Sequence, residues 1–239
     1  MARKILISAY WLLAAALFAG VMTMIFVWTP FAVDPNDGKP IIFQKILYFH
    51  LPVAINTFLA CTVCFVGGIG YLVQRKTWWD DLAAAGAKVA VVLCTGVLLT
   101  GMLWAKGAWN IWWTWESPRL TFSFMLWLLF IVYLVVRASV EGSQRRAVVG
   151  AVYGLIVYLD IPLVYLSARL LPDPHHPGDI SLAYSMKLTL AASFVPITLI
   201  AAGLIYLQYR VHRARRNEAV ETAELPSPAL GASLSGGVA

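Results

Sequence analysis

The sequence predicts an all-α polytopic membrane protein with six transmembrane helices and both termini cytoplasmic, and three observations lead there. Mean hydropathy is +0.75, with 60% of the 239 residues hydrophobic and 13% charged, a balance unlike that of soluble domains. Six apolar runs approach or exceed the ~20 residues that a helix needs to cross a hydrocarbon core of ~30 Å. Lysine and arginine are shared unevenly between alternate connections, as they are in proteins whose basic loops stay on the cytoplasmic side.

The first run, Ile5 to Trp28, follows Arg3 and Lys4 as the apolar part of a signal peptide would. Its length and the lack of a small-x-small cleavage site before Pro30 favour a retained span. The second, Ile46 to Val73, is longer than a straight crossing requires. Pro52 near its start predicts an interfacial lead-in, a kink or a tilt. Leu82 to Trp104 forms the third run and contains Lys88. The fourth, Leu120 to Val136, is short, as though the tryptophan-rich stretch before it supplied part of the crossing. The fifth, Ala147 to Leu166, contains Asp160 and Pro162, and the sixth runs from Leu182 to Tyr209. Residues 1–210 thus read as one transmembrane domain, and residues 211–239 as a cytoplasmic tail. From Asn217 onward that tail is rich in Ala, Ser, Gly, Pro and Glu without a period, and it is expected to be disordered.

Assigning the basic residues to sides, with Lys88 of the third run left out, places eleven on the side of Arg3, Arg75, Arg137 and Arg210, and six on the side of Lys45, Lys106, Arg119, Arg169 and Lys187 near the start of the sixth run. The segment from Trp104 to Thr121 therefore faces outward, as do the loops from Pro30 to Lys45 and from Arg169 to Ser181. The formal charge of +6 sits in small groups beside span ends, which suits anchoring against anionic lipid. No groove-reading motif accompanies it, so no nucleic-acid partner is expected. Cys61, Cys64 and Cys94 lie within apolar runs and read as packing residues, although Cys61 and Cys64 form a CxxC.

Five tryptophans, Trp104, Trp109, Trp112, Trp113 and Trp115, fall within eighteen residues at the outward rim. Two or three indoles there would be an ordinary interfacial belt. Five, with Glu116 and Arg119 beside them, suggest a flat aromatic surface for a large planar ligand. Three of the four histidines lie at outward ends: His50 near the start of the second span, and His175 and His176 between the fifth and sixth. His212, in a basic cytoplasmic run, reads as a surface residue. Each outward histidine alone reads as a satisfied interfacial side chain. Together they offer imidazole nitrogens from two loops that flank a tryptophan-rich third. Haem meets those terms: its iron takes axial histidines and its propionates pair with cations such as Arg119 and Arg169.

Zinc at His175 and His176 with Asp173 and Asp179 lacks a finger or helix spacing. An electron-transfer cytochrome b places its histidines inside the bundle. A permease subunit exporting haem or a related small molecule would need more polar residues along its spans than Lys88 and Asp160. Asp160 is either a polar contact for backbone freed by Pro162 or a carboxylate that orients a ligating histidine.

The stretches WNIWWTWESPRLT (Trp109 to Thr121), YFHLP (Tyr48 to Pro52), YLDIPLVYLS (Tyr158 to Ser167) and HHP (His175 to Pro177) resemble the CcmC family of haem-handling membrane proteins of cytochrome c maturation. The family motif ends WDxRLT, whereas this chain has WESPRLT, with Glu116 in place of Asp and one additional residue before Arg119. PDP also replaces the family's tryptophan and polar residues ahead of His175. The resemblance implies a protein of the bacterial inner membrane that presents haem b in transit at the periplasmic face and has no catalytic turnover of its own. It implies the ABC-type partners CcmA and CcmB, the small CcmD and the haem chaperone CcmE. His50 matches the first axial ligand, and His175 or His176 the second. Trp109, Trp112, Trp113, Trp115 and Arg119 would hold the ring. The larger relatives CcmF and CcsA have more spans than this chain supplies.

Overall fold

In a computed structural model, residues 2–33, 38–170 and 182–224 are described. Helix α1 spans Ala2–Thr23 and closes through a π-helical turn, Met24–Trp28. A two-residue antiparallel pair, β1 (Ala32–Val33) with β2 (Pro40–Ile41), leads into a 3-10 turn at Ile42–Ile46. Then follow α2 (Leu47–Gln74), α3 (Thr77–Trp109), α4 (Pro118–Ser139), α5 (Ser143–Tyr158), α6 (Asp160–Leu170) and α7 (Tyr184–Glu224). Among the described residues, six helical stretches are long and apolar enough to cross a membrane, α5 and α6 together making the fifth.

The centre of the bundle is the seam between α2 and α3, where small residues let two backbones approach. A Cβ on Gly67 would stand 2.7 Å from the Ala83 nitrogen, and one on Gly86 would stand 2.7 Å from the Cys64 nitrogen. Without a hydrophobic drive in lipid, such close van der Waals packing is what associates helices. Around it Ala60, Cys61, Ala87, Ala90, Phe130 and Tyr133 form the buried core. The three cysteines are free and buried, as packing residues would be.

Helix ends follow local chemistry. Asn110 stops α3 in the left-handed region at φ 57°, which asparagine tolerates at a helix C-terminus. Ser117 caps α4 by accepting from the Leu120 amide, and Pro118 takes the first turn, where a missing N–H costs nothing. The Lys45 ammonium reaches back to the end of α1, donating to the Ile25 carbonyl and, at 2.6 Å, to that of Thr29. Unpaired carbonyls at a helix C-terminus are the natural partners of a cation.

Several sequence expectations change. The second span does have its lead-in, the 3-10 turn. Helix α4 has 22 residues, long enough at ~1.5 Å each to cross without help from the tryptophan segment. The fifth span breaks at Leu159, so Asp160 opens α6; its oxygens, buried, have no hydrogen-bond partner among the described residues. The backbone contact expected of Asp160 is not made among the described residues, and its orientation of His175 or His176 lies outside them. At the other end of the chain, α7 runs to Glu224, through residues expected to be tail, because ion pairs tie it down: Arg216 meets Asp80 at 3.1 Å and Asp81 at 2.5 Å. Residues 225–239 lie outside the described residues. His212 is half-buried with Nε2 enclosed, since the extended helix turns that face inward.

Arg3 and Arg210 both reach the Tyr206 hydroxyl, so the start of α1 lies beside the second half of α7. Arg137, from the end of α4, joins the Asp80 cluster at 2.6 Å. His50 and the tryptophan segment lie toward the opposite ends of α2 and α3.

Candidate functional site

Between α2, α3, α4 and α6 lies a cavity of about 640 Å³, bounded by His50, Trp104, Trp109, Trp113 and Arg119 toward its rim and by Cys94, Leu126 and Val164 farther in. Pockets of roughly 300–1,000 Å³, mostly apolar with a few fixed polar groups, are the usual seats of cofactor-sized ligands.

Each helix contributes by its periodicity. On α2, Leu47, His50, Leu51, Ala54 and Phe58 recur at three- and four-residue steps and so share one face. Val97, Gly101, Trp104 and Ala108 do the same on α3. His50 meets this second face closely: Nδ1 lies 2.9 Å from the Thr100 hydroxyl, and its ring stands edge-on to Trp104, with centroids 6.1 Å apart at 77°. A Cβ on Gly101 would sit 3.4 Å from the His50 Cε1. That is an ordinary van der Waals contact.

The tryptophans divide. Trp104, Trp109 and Trp113 line the cavity, whereas Trp112 and Trp115 are 52% and 65% exposed and do not. Trp112 lies beneath the Lys106 ammonium, at 5.8 Å. Trp115 stands edge-on to Trp113 and Phe124, at 5.4 and 5.7 Å. The expected flat surface is therefore a corner of mutually tilted rings, the arrangement that aromatic quadrupoles favour. Trp109 ends a helix, whereas Trp112, Trp113 and Trp115 lie in the irregular connection after it. The Trp113 Nε1 is buried with no hydrogen-bond partner among the described residues.

Arg119 lines the cavity from the first turn of α4, giving the apolar chamber one cation near its mouth. His175 and His176 lie outside the described residues, as does the side chain of Arg169. The cavity also uses residues that the sequence did not single out. Gly101 could have been found from its spacing to Trp104 on one helical face, and Tyr165 from its place in YLDIPLVYLS. Nothing local marked Cys94 as more than packing; only its place in the cavity lining does.

The family profile described as Heme exporter protein C matches residues 2–228. The Heme exporter protein C of Bradyrhizobium diazoefficiens is 27% identical over 188 residues, covering 78% of this chain and 71% of that one. That of Rhodobacter capsulatus is 25% identical over 228 residues, 90% of each chain. A cytochrome c biogenesis protein CcsA from Prochlorococcus marinus is 37% identical over 92 residues, but these make up 38% of this chain and 28% of the relative. The match that runs through all six spans is the first kind, and the chain belongs to the Heme exporter protein C (CcmC) family.

Proposed function

We propose that this chain holds haem b at its outward end and passes it to the haem chaperone CcmE during cytochrome c maturation, with no catalytic turnover of its own. The observation that carries the proposal is the convergence of His50, three indoles and Arg119 on one apolar cavity. Those residues fit the ligand. An imidazole supplies an axial nitrogen, the indoles supply apolar area, and the guanidinium pairs with a propionate. The orphaned Trp113 Nε1 can donate to the other propionate.

The second axial ligand is His175 or His176, from the connection between α6 and α7. In this reading the cavity end faces the periplasm across the bacterial inner membrane, and both termini are cytoplasmic. The basic residues at the Arg137 and Arg216 end support that orientation. CcmA, CcmB and CcmD are the proposed membrane partners, and CcmE docks over the exposed Trp112 and Trp115.

The test of delivery is a transfer assay. The purified chain is loaded with haem, mixed with haem-free CcmE, and the two are separated. Haem should appear on CcmE and leave the donor. Haem that stays on the donor at all CcmE concentrations would reduce the chain to a storage protein.

A further inference from the structure

We propose that Thr100 is a positioning residue that selects the tautomer of His50, keeping the proton on Nδ1 so that Nε2 presents its lone pair. The inference rests on the haem reading of the cavity, but the tautomer itself does not depend on haem.

The argument begins with one hydrogen. The Thr100 hydroxyl lies 2.7 Å from the Gly96 carbonyl oxygen and 3.2 Å from that of Val97. Both are acceptors only, so the hydroxyl proton is directed to the helix, back-bonding one turn down as threonine does in apolar surroundings. The hydroxyl oxygen then faces His50 Nδ1, at 2.9 Å, with a lone pair. Only a protonated Nδ1 completes that contact. A neutral imidazole carries one N–H, so its Nε2 is then the basic nitrogen, and a nitrogen that binds iron must be unprotonated.

The ring has little freedom to escape this choice. Trp104, one turn on from Thr100, stands edge-on to the ring, with centroids 6.1 Å apart. Turning the imidazole over would exchange Nδ1 for a carbon opposite the hydroxyl and forfeit that hydrogen bond. Asp160, the carboxylate that the sequence offered for this work, is not the partner: no hydrogen bond from it is made among the described residues. A neutral hydroxyl takes its place. It fixes the ring without adding a negative charge to the site.

The experiment uses the full chain in lipid nanodiscs, with histidine side chains labelled with nitrogen-15. The His50 signals are assigned by their loss in His50→Gln. Without haem, wild type and Thr100→Ser should show a protonated Nδ1 and a bare Nε2, whereas the near-isosteric Thr100→Val should lose that preference. Haemin titration of the same samples should then show Thr100→Val binding about 10–100-fold more weakly, the usual effect of removing a group that orients a ligating histidine, with Thr100→Ser close to wild type. Nitrogen shifts unchanged by Thr100→Val, or a wild-type ring protonated on Nε2, would overturn the role of Thr100. Haem binding that is indifferent to His50→Ala would instead overturn the haem reading of His50, while the nitrogen shifts would still decide the tautomer.

Discussion

The two ways in which the tryptophans meet the cavity make the residue scale testable. Trp113→Ala removes a cavity wall and a buried donor, and should weaken haem binding by roughly 1–3 kcal/mol if an indole on a porphyrin contributes as an aromatic ring does on a base. Trp112→Ala removes a side chain that is 52% exposed and covers Lys106, so haem titration should change little. Equal losses would mean that the whole segment rearranges around haem. At this scale the sequence showed the residue types but not their division. Which indoles face inward depends on where α3 stops, and the left-handed Asn110 that stops it is a small signal beside five tryptophans. His50 was visible from its place at a span end. Thr100 was hidden because a threonine in a transmembrane helix ordinarily bonds its own backbone, and only the approach of α2 gives its second lone pair a purpose.

Two features of the elements carry the bundle. Gly86→Val would place a Cβ 2.7 Å from the Cys64 nitrogen and 2.8 Å from the Ala60 carbonyl, backbone atoms that cannot move aside without separating α2 from α3. Overpacking of this kind costs about 1–3 kcal/mol or more. Thermal unfolding in detergent should register it as a lower midpoint, and an unchanged midpoint would show that the helices slide freely. The second feature is the ion cluster at the opposite end. Arg137 and Asp80 are both largely buried, at 12% and 6% side-chain exposure, while Arg216 is at 26%. Arg137→Met should destabilise by about 3 kcal/mol, the lower end for breaking a buried pair, because Asp80 keeps Arg216. Arg216→Met should cost less and free the end of α7, which limited proteolysis after Arg210 would detect. The six spans were legible because apolar runs of that length have few other uses. The continuation of α7 was not: Asp80, Asp81 and Arg216 are far apart in sequence, and composition alone gives residues 217–224 no reason to remain helical.

For the whole molecule the central question is whether one end gathers everything that haem requires. Reporter fusions settle sidedness: those after Lys106 and near Asp179 should report from the periplasm, and one at Gly142 from the cytoplasm. A cytoplasmic report near Asp179 would separate His175 and His176 from His50 and break the shared site. The measurement that tests the account most directly is the absorbance spectrum of the purified chain with bound haem, compared with His50→Ala, His175→Ala and His176→Ala. Wild type should keep a Soret band through purification, His50→Ala should lose it while still inserting in the membrane, and one of the other two should match that loss. A wild-type spectrum in His50→Ala would contradict the account, because the cavity would then hold its haem without the ligand around which it is built.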